Sequence, residues 1–151
     1  MQGSWQRRLA VGATMLAAAG LLPAQEYTSA PNPYQGEFVY KVDAELKPLV
    51  EGEGVRWPLL RVAPKNPGEV RSGQSIAITI AYDLENVRDQ GANVILVVLF
   101  EDAQGNGLDR VECDPAQVPA SSVKSFRQKA KVQGDVLLAT DKLYLFLEIQ
   151  R

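Results

Sequence analysis

Between Ser75 and Leu84 the chain alternates without a break, with Ile76, Ile78, Ile80, Tyr82 and Leu84 set against Ala77, Thr79, Ala81 and Asp83. A period of two belongs to a strand, whose successive side chains point to opposite faces, so the large residues must meet a core. Val94 to Phe100 follows with seven apolar residues in succession, which predicts a central strand buried on both sides and is short for a helix. Gly105-Asn106-Gly107 supplies the positive-φ residues of a tight hairpin, leading to a shorter and more polar partner, Leu108 to Cys113. At the far end Leu143, Leu145, Leu147 and Ile149 alternate with Tyr144, Phe146, Glu148 and Gln150.

Upstream, Phe38, Tyr40, Val42, Ala44 and Leu46 oppose Lys41, Asp43, Glu45 and Lys47, the pattern of a half-buried strand. Pro48 stops it, Gly52 and Gly54 permit a bend, and Trp57 to Val62 runs into the loop Pro64-Lys65-Asn66-Pro67-Gly68. Ser121 to Val132 fits a strand with Phe126, Ala130 and Val132 inward, or a serine-capped helix with Val123, Phe126 and Ala130 on one stripe; strand is the preferred reading. Several short strands with Gly, Pro, Asn and Asp between them, and no long helical period, predict an all-β fold. Residues 37–151 are expected to form one antiparallel β-sandwich, whose strand order alternation does not specify.

In order and size, Trp57 to Arg151 resembles immunoglobulin-like and fibronectin type III-like modules. The resemblance implies their architecture of two packed sheets. The cysteine pair and buried tryptophan of true immunoglobulin domains are missing, since Cys113 stands alone and Trp57 precedes the first strong strand.

Residues 1–24 read as a secretory signal peptide: Arg7 and Arg8 precede an uncharged stretch from Leu9 to Leu22, followed by Pro23 and Ala24. Cleavage is expected after Ala24, because the competing Thr28-Ser29-Ala30 site is followed by Pro31. The stretch holds 14 residues, where a membrane-spanning helix takes about 20. Arg7-Arg8 resembles a twin-arginine signal only in the pair itself, with Gln6 before it and Ala10-Val11 after it departing from the pattern. A secreted or periplasmic location follows, with no membrane span after cleavage. Gln25 to Gly36, with its prolines and hydroxyl residues and no apolar period, is expected to be a flexible lead-in.

Composition narrows the functions available. The 151 residues are 46% apolar and 23% charged, which fits a globular core. Sixteen basic and 18 acidic residues give a net charge of −2; without Arg7 and Arg8 the balance is 14 − 18 = −4, with no basic run suited to nucleic acid. One cysteine in an exported chain makes no internal disulfide, so packing must supply the stability. With no histidine, Ser-His-Asp and Cys-His machinery and histidine-ligated zinc are excluded. Cys113 lies between Glu112 and Asp114, whose charges disfavour the thiolate, and reads as structural. Glu101 and Asp102 are adjacent on a strand and point to opposite faces, so they do not flank one bond.

Two candidate sites remain. Asp102, Asn106 and Asp109, with Gln104, place oxygens around one loop and resemble the first half of an EF-hand, D-x-[DN]-x-[DN]-G. Gln104 departs from that pattern, and Cys113 stands where a bidentate Glu closes the Ca²⁺ loop; a plain hairpin explains the same residues. Lys124, Arg127, Lys129 and Lys131 form a basic stripe, the last three on one face if the segment is a strand. Such a stripe suits a phosphate, an acidic glycan or an anionic surface, and also suits a solvated face that protects a sheet from aggregation. Tyr27, Tyr34 and Trp57 suit a sugar-stacking platform and also suit the anchoring of a sheet edge. The function expected is an exported, non-catalytic binding module for an envelope or extracellular protein or polysaccharide. The alternatives are a small carboxylate-dependent hydrolase and an assembly subunit that self-associates through a sheet edge, its C-terminal strand continuing a neighbour's sheet.

Overall fold

The computed structural model describes residues 25 to 151, so the expected signal peptide over 1–24 lies outside the described residues. In chain order the elements are β1 (Thr28–Ser29), β2 (Tyr34–Val39), β3 (Glu45–Leu46), β4 (Val50–Gly52), β5 (Val55–Pro64) and β6 (Ser75–Asn86). They continue with β7 (Ala92–Glu101), β8 (Gly107–Glu112), β9 (Ala116–Val118), β10 (Ser122–Gln133), the short helix α1 (Gly134–Ala139) and β11 (Lys142–Gln150). One sheet has the order β1-β4-β5-β6-β10, with β3 also pairing β5; the other runs β2-β11-β7-β8, with β9 also pairing β7. Every pairing is antiparallel except that of β1 with β4. The chain is an all-β, antiparallel-rich β-sandwich.

The core lies between the sheets. Ile78, Ile80, Tyr82 and Leu84 of β6 and Trp57, Leu60 and Val62 of β5 are buried on one side. Val94, Leu96, Val98 and Phe100 of β7 and Leu143, Leu145, Leu147 and Ile149 of β11 are buried on the other. The period-two pattern thus selects the inner faces, and each large side chain so buried stabilises the fold by about 1.5–3 kcal/mol. The segment that admitted two readings is a strand: β10 pairs β6 from Ser122 opposite Asn86 to Gln133 opposite Ser75.

Four expectations need correction. The strand expected over Phe38 to Leu46 divides, because Asp43 takes a positive φ of 65° and turns the chain from β2 in one sheet to β3 in the other. Val42 is consequently exposed rather than inward. Part of the lead-in expected over 25–36 is built into the sandwich. β1 lies on β4, β2 starts at Tyr34, and the Asn32 amide closes onto β11, donating from Nδ2 to the Ile149 carbonyl at 2.8 Å and accepting from the Ile149 N–H at 2.9 Å. Composition hid this, because a side chain supplies the bonds a backbone ladder would have made. β7 is central, but its outward row is only partly covered: Val97 is buried, while Ile95 and Leu99 are half-buried. Finally, β11 lies between β2 and β7, so the C-terminal strand offers no free edge for continuing a neighbour's sheet.

Two close approaches fix the lower end of the sandwich. Gly134 packs on the Arg71 carbonyl, which a Cβ would overlap, and its N–H donates to the Gln74 carbonyl at 2.7 Å. The next residue, Asp135, accepts from the Ser72 hydroxyl and from the Gly73 N–H at 2.9 Å, bonds that hold its carboxyl below the ordinary aspartate range. Gly134→Ala is expected to lower stability by about 2–3 kcal/mol through that overlap, read as the shift in denaturation midpoint at unchanged slope. For Asp135 the folded-state pKa is the depressed one. Its contribution is therefore present above the unfolded aspartate value near 3.9 and is lost as pH falls through the lower folded value. Asp135→Asn is expected to flatten the dependence of melting temperature on pH below about 4; an unchanged slope would remove this carboxylate from the acid response.

Candidate functional site

The outward face of the six-stranded sheet is set by register. Arg61 of β5 lies opposite Ala81 of β6, which lies opposite Arg127 of β10. One row on, Ala63, Thr79 and Lys129 are aligned in the same way. In the third row Lys131 faces Ala77, and Lys65 reaches the same place from just beyond β5, its N–H donating to the Ala77 carbonyl at 2.9 Å. In these three rows the middle strand therefore shows only small side chains, with Arg61 and Lys65 on one side and Arg127, Lys129 and Lys131 on the other. The result is a trough along β6, floored by Ala77, Thr79 and Ala81.

Two adjoining depressions occupy the trough. One, of about 380 Å³, is lined by Asp43, Arg61, Ala63, Thr79, Ala81 and Arg127, with Pro64, Lys65 and Pro67 at its rim. The other, of about 490 Å³, is lined by Lys65, Ala77, Thr79, Lys129 and Lys131 along with parts of Ile78 and Ala130. Arg61 is held by Asp43, its Nε donating to Oδ1 at 2.8 Å. Among the described residues, Lys65, Arg127, Lys129 and Lys131 have no carboxylate within 4.0 Å. Their charge is offset by water and counter-ions, both of which an anionic ligand can displace.

Of the basic stripe marked in the sequence, Arg127, Lys129 and Lys131 come together on this face. Lys124 does not join them: it lies over the Phe126 ring at 5.2 Å, and its Nζ donates to the Gln117 carbonyl at 3.4 Å. Arg61 and Lys65 went unmarked because they join the trough through the pairing of β5 with β6. The available signal was parity: the outward residues Ala77, Thr79 and Ala81 are all small.

The calcium candidates sit on the β7–β8 hairpin. The Asp102 carboxylate closes the loop on itself, Oδ1 accepting from the N–H groups of Gln104 at 3.0 Å and Asn106 at 2.9 Å, and Oδ2 accepting from Asn106 Nδ2 at 3.0 Å. The bonds from Asn106 lead in holding its carboxyl below the usual aspartate range. Asp109 Oδ1 accepts from the Arg110 N–H at 2.7 Å. A cation here would have to displace Asn106 Nδ2, and among the described residues no group of three or more Cys, Asp or Glu is placed to hold a metal.

Cys113 is in the core at 3% exposure, and burial, with Asp114 adding to it, pushes its thiol up to about 12. A neutral thiol at that depth is a packing group. Trp57 is also in the core at 1% exposure, its indole N–H donating to the Leu59 carbonyl and its ring meeting Tyr34 edge-on at 6.1 Å. Tyr27 lies against Arg56 at 5.0 Å, so these aromatics make no shared stacking platform. Two carboxylates that approach one another, Glu37 and Glu101, lie on the outer face of the five-stranded sheet. The Lys142 ammonium, at 2.9 Å, holds Glu37 below the usual glutamate range, while burial and the neighbouring Glu37 push Glu101 up. Among the described residues no helix is long and apolar enough to cross a membrane.

No family model matches the chain, and no curated protein matches it. Among solved structures, a β-glucuronidase from glycoside hydrolase family 2 is similar with a TM-score of 0.41 and 19% identity, over 50% of this chain and 7% of that one. A Bacteroides uniformis β-glucuronidase gives 0.41 and 14%, over 60% of this chain and 12% of that one. The enzymatically active domain of bacteriophage CBA120 tailspike protein 4 gives 0.27 and 10%, over 79% of this chain and 17% of that one. The chain therefore spans a small part of the length of each.

Proposed function

We propose that the chain is an exported, non-catalytic β-sandwich module that binds an envelope or extracellular protein or polysaccharide through the cationic face of its six-stranded sheet. The observation that carries this reading is the set formed by Lys65, Arg127, Lys129 and Lys131, lined up beside a depression and free of carboxylate partners among the described residues. Arg56, by contrast, is paired with Glu51 at 2.7 Å and Lys142 with Glu37 at 2.9 Å. Export rests on the sequence of residues 1–24, with Arg7 and Arg8 ahead of the apolar stretch. The non-catalytic part rests on the absence of histidine and on the neutral, buried state of Cys113.

The test is affinity capture from envelope and culture fluid at moderate salt, run in parallel with the natural chain and with Lys129→Glu/Lys131→Glu. The natural chain should enrich one partner, and the reversal should lower its recovery about tenfold or more, corresponding to at least about 1.4 kcal/mol. Equal recovery by both would move the contact off this face. N-terminal sequencing of the chain recovered after expression with its leader should begin at Gln25, and an unprocessed Met1 in the cell body would overturn export.

A further inference from the structure

We infer that the ligand of this face is a linear anionic polysaccharide lying lengthwise in the trough along β6, with Arg61 and Lys65 as one wall and Arg127, Lys129 and Lys131 as the other. This rests on the binding reading above and narrows it to one chemistry.

Neighbouring strands lie about 4.8 Å apart, so β5 and β10, on either side of β6, are separated by about 10 Å, room for one extended chain and not for a duplex or a helix. Outward residues on β10 recur at about 6.7 Å, so Arg127, Lys129 and Lys131 present a repeating row of charge to a repeating row of anions. Counter-ions released by such a ligand would favour a polymer over a single small anion, because each further contact adds to the same binding event.

The floor then decides between kinds of polyanion. β6 is paired from Ser75 to Asn86 with β10 and along most of that length with β5, so its main chain has no N–H or C=O left for an added peptide strand. A peptide seeking backbone partners would go to the free edge of β10 instead. Ala77, Thr79 and Ala81 offer methyl groups and one hydroxyl, a flat surface on which a sugar ring can rest. Among the trough residues there is no aromatic side chain, the group that gives neutral sugars their stacking energy, so charge must supply the affinity and a neutral glycan is disfavoured.

The trough also has a direction. Past Ala81 the outward residues of β6 become Asp83 and Glu85, with Ser125 Oγ donating to Asp83 at 2.6 Å and Arg56 standing 3.5 Å from Glu85. These carboxylates repel an anionic chain at one end, so it runs from Ala81 toward Ala77 and leaves between Lys65 and Lys131.

The experiment measures binding of the purified protein to heparin and to polygalacturonate, a sulfated and a carboxylated polysaccharide, with dextran and polyglutamate as comparators, at several salt concentrations. Both anionic polysaccharides are expected to bind with an affinity that falls as salt rises; dextran should show none, and polyglutamate should bind at least tenfold more weakly. Thr79→Leu fills the floor and leaves every cation in place, and is expected to weaken polysaccharide binding at least tenfold with melting unchanged. Arg110→Glu, on the other sheet, should change it less than twofold. Polyglutamate binding as tightly as the polysaccharides, or Thr79→Leu without effect, would overturn the polysaccharide assignment. If Lys129→Glu/Lys131→Glu still abolished capture of a protein partner in that case, the binding face itself would stand. Binding insensitive to both the floor and the charge reversal would overturn the two together.

Discussion

The parity of β6 governs the rest of the structure. Burying Ile78, Ile80, Tyr82 and Leu84 stabilises the fold by on the order of 6–12 kcal/mol, comparable with the whole net stability of a domain this size. A slip of one residue would send Ala77, Thr79 and Ala81 inward and expose all four large side chains, so the register cannot drift. Because β6 is paired on both sides, its register passes to β5 and β10. The small residues on the outside, and the cations beside them, are then where they are as a consequence of what the core needs.

A second constraint sets where β10 begins. Asn86, the last residue of β6, is 1% exposed and would be costly there without partners. Its Nδ2 donates to the carbonyls of Gln90 at 2.8 Å and Val118 at 3.1 Å, and its Oδ1 accepts from the Arg88 N–H at 3.0 Å. One side chain thus ties the β6–β7 turn to the point where the chain leaves β9 for the opposite sheet. Ser121, with a positive φ of 51°, completes that crossing, its N–H donating to the Arg88 carbonyl at 2.9 Å, and β10 starts at Ser122 facing Asn86. Every cation on β10 takes its row from that junction.

The parts of the fold that were legible in the sequence are those where one short-range pattern acts without competition. Ile76 to Leu84 and Leu143 to Ile149 alternate cleanly, and both are strands with the expected faces inward. The failures arose where two influences met. Phe38 to Leu46 keeps the alternation of one strand, yet Asp43 turns it between sheets, and period alone carries no information about which sheet a residue joins. Val94 to Phe100 reads as buried on both faces because its outward residues are apolar, whereas Ile95 and Leu99 are covered only in part. The Asn32 clamp was not legible because its partner, Ile149, is 117 residues away. The site behaved in the same way: Arg127, Lys129 and Lys131 are two apart on one strand and could be grouped, but Arg61 and Lys65 join them only through strand order.

Charges on an edge strand have an ordinary explanation, which is to keep other chains from pairing with that edge. That explanation covers Arg127, Lys129 and Lys131, since β10 is the edge of its sheet. It does not cover Lys65, which follows β5 and lies across β6 from that edge, and it makes no demand for small residues on β6. Protection works equally well with Ala77, Thr79 and Ala81 replaced by longer polar side chains, which would also shield more of the sheet. A chain whose described part carries more acid than base, yet which lines a shallow trough on both sides with cations and leaves its floor bare, has arranged a local field opposite to its own net charge. Since the field of an exposed charge fades over about 8 Å in physiological salt, the more distant carboxylates do not cancel it at the floor, and Asp43, paired with Arg61, and Asp83 act at the Ala81 end. Edge protection accounts for one wall of the trough; the proposed anionic ligand would account for both walls and for the floor between them.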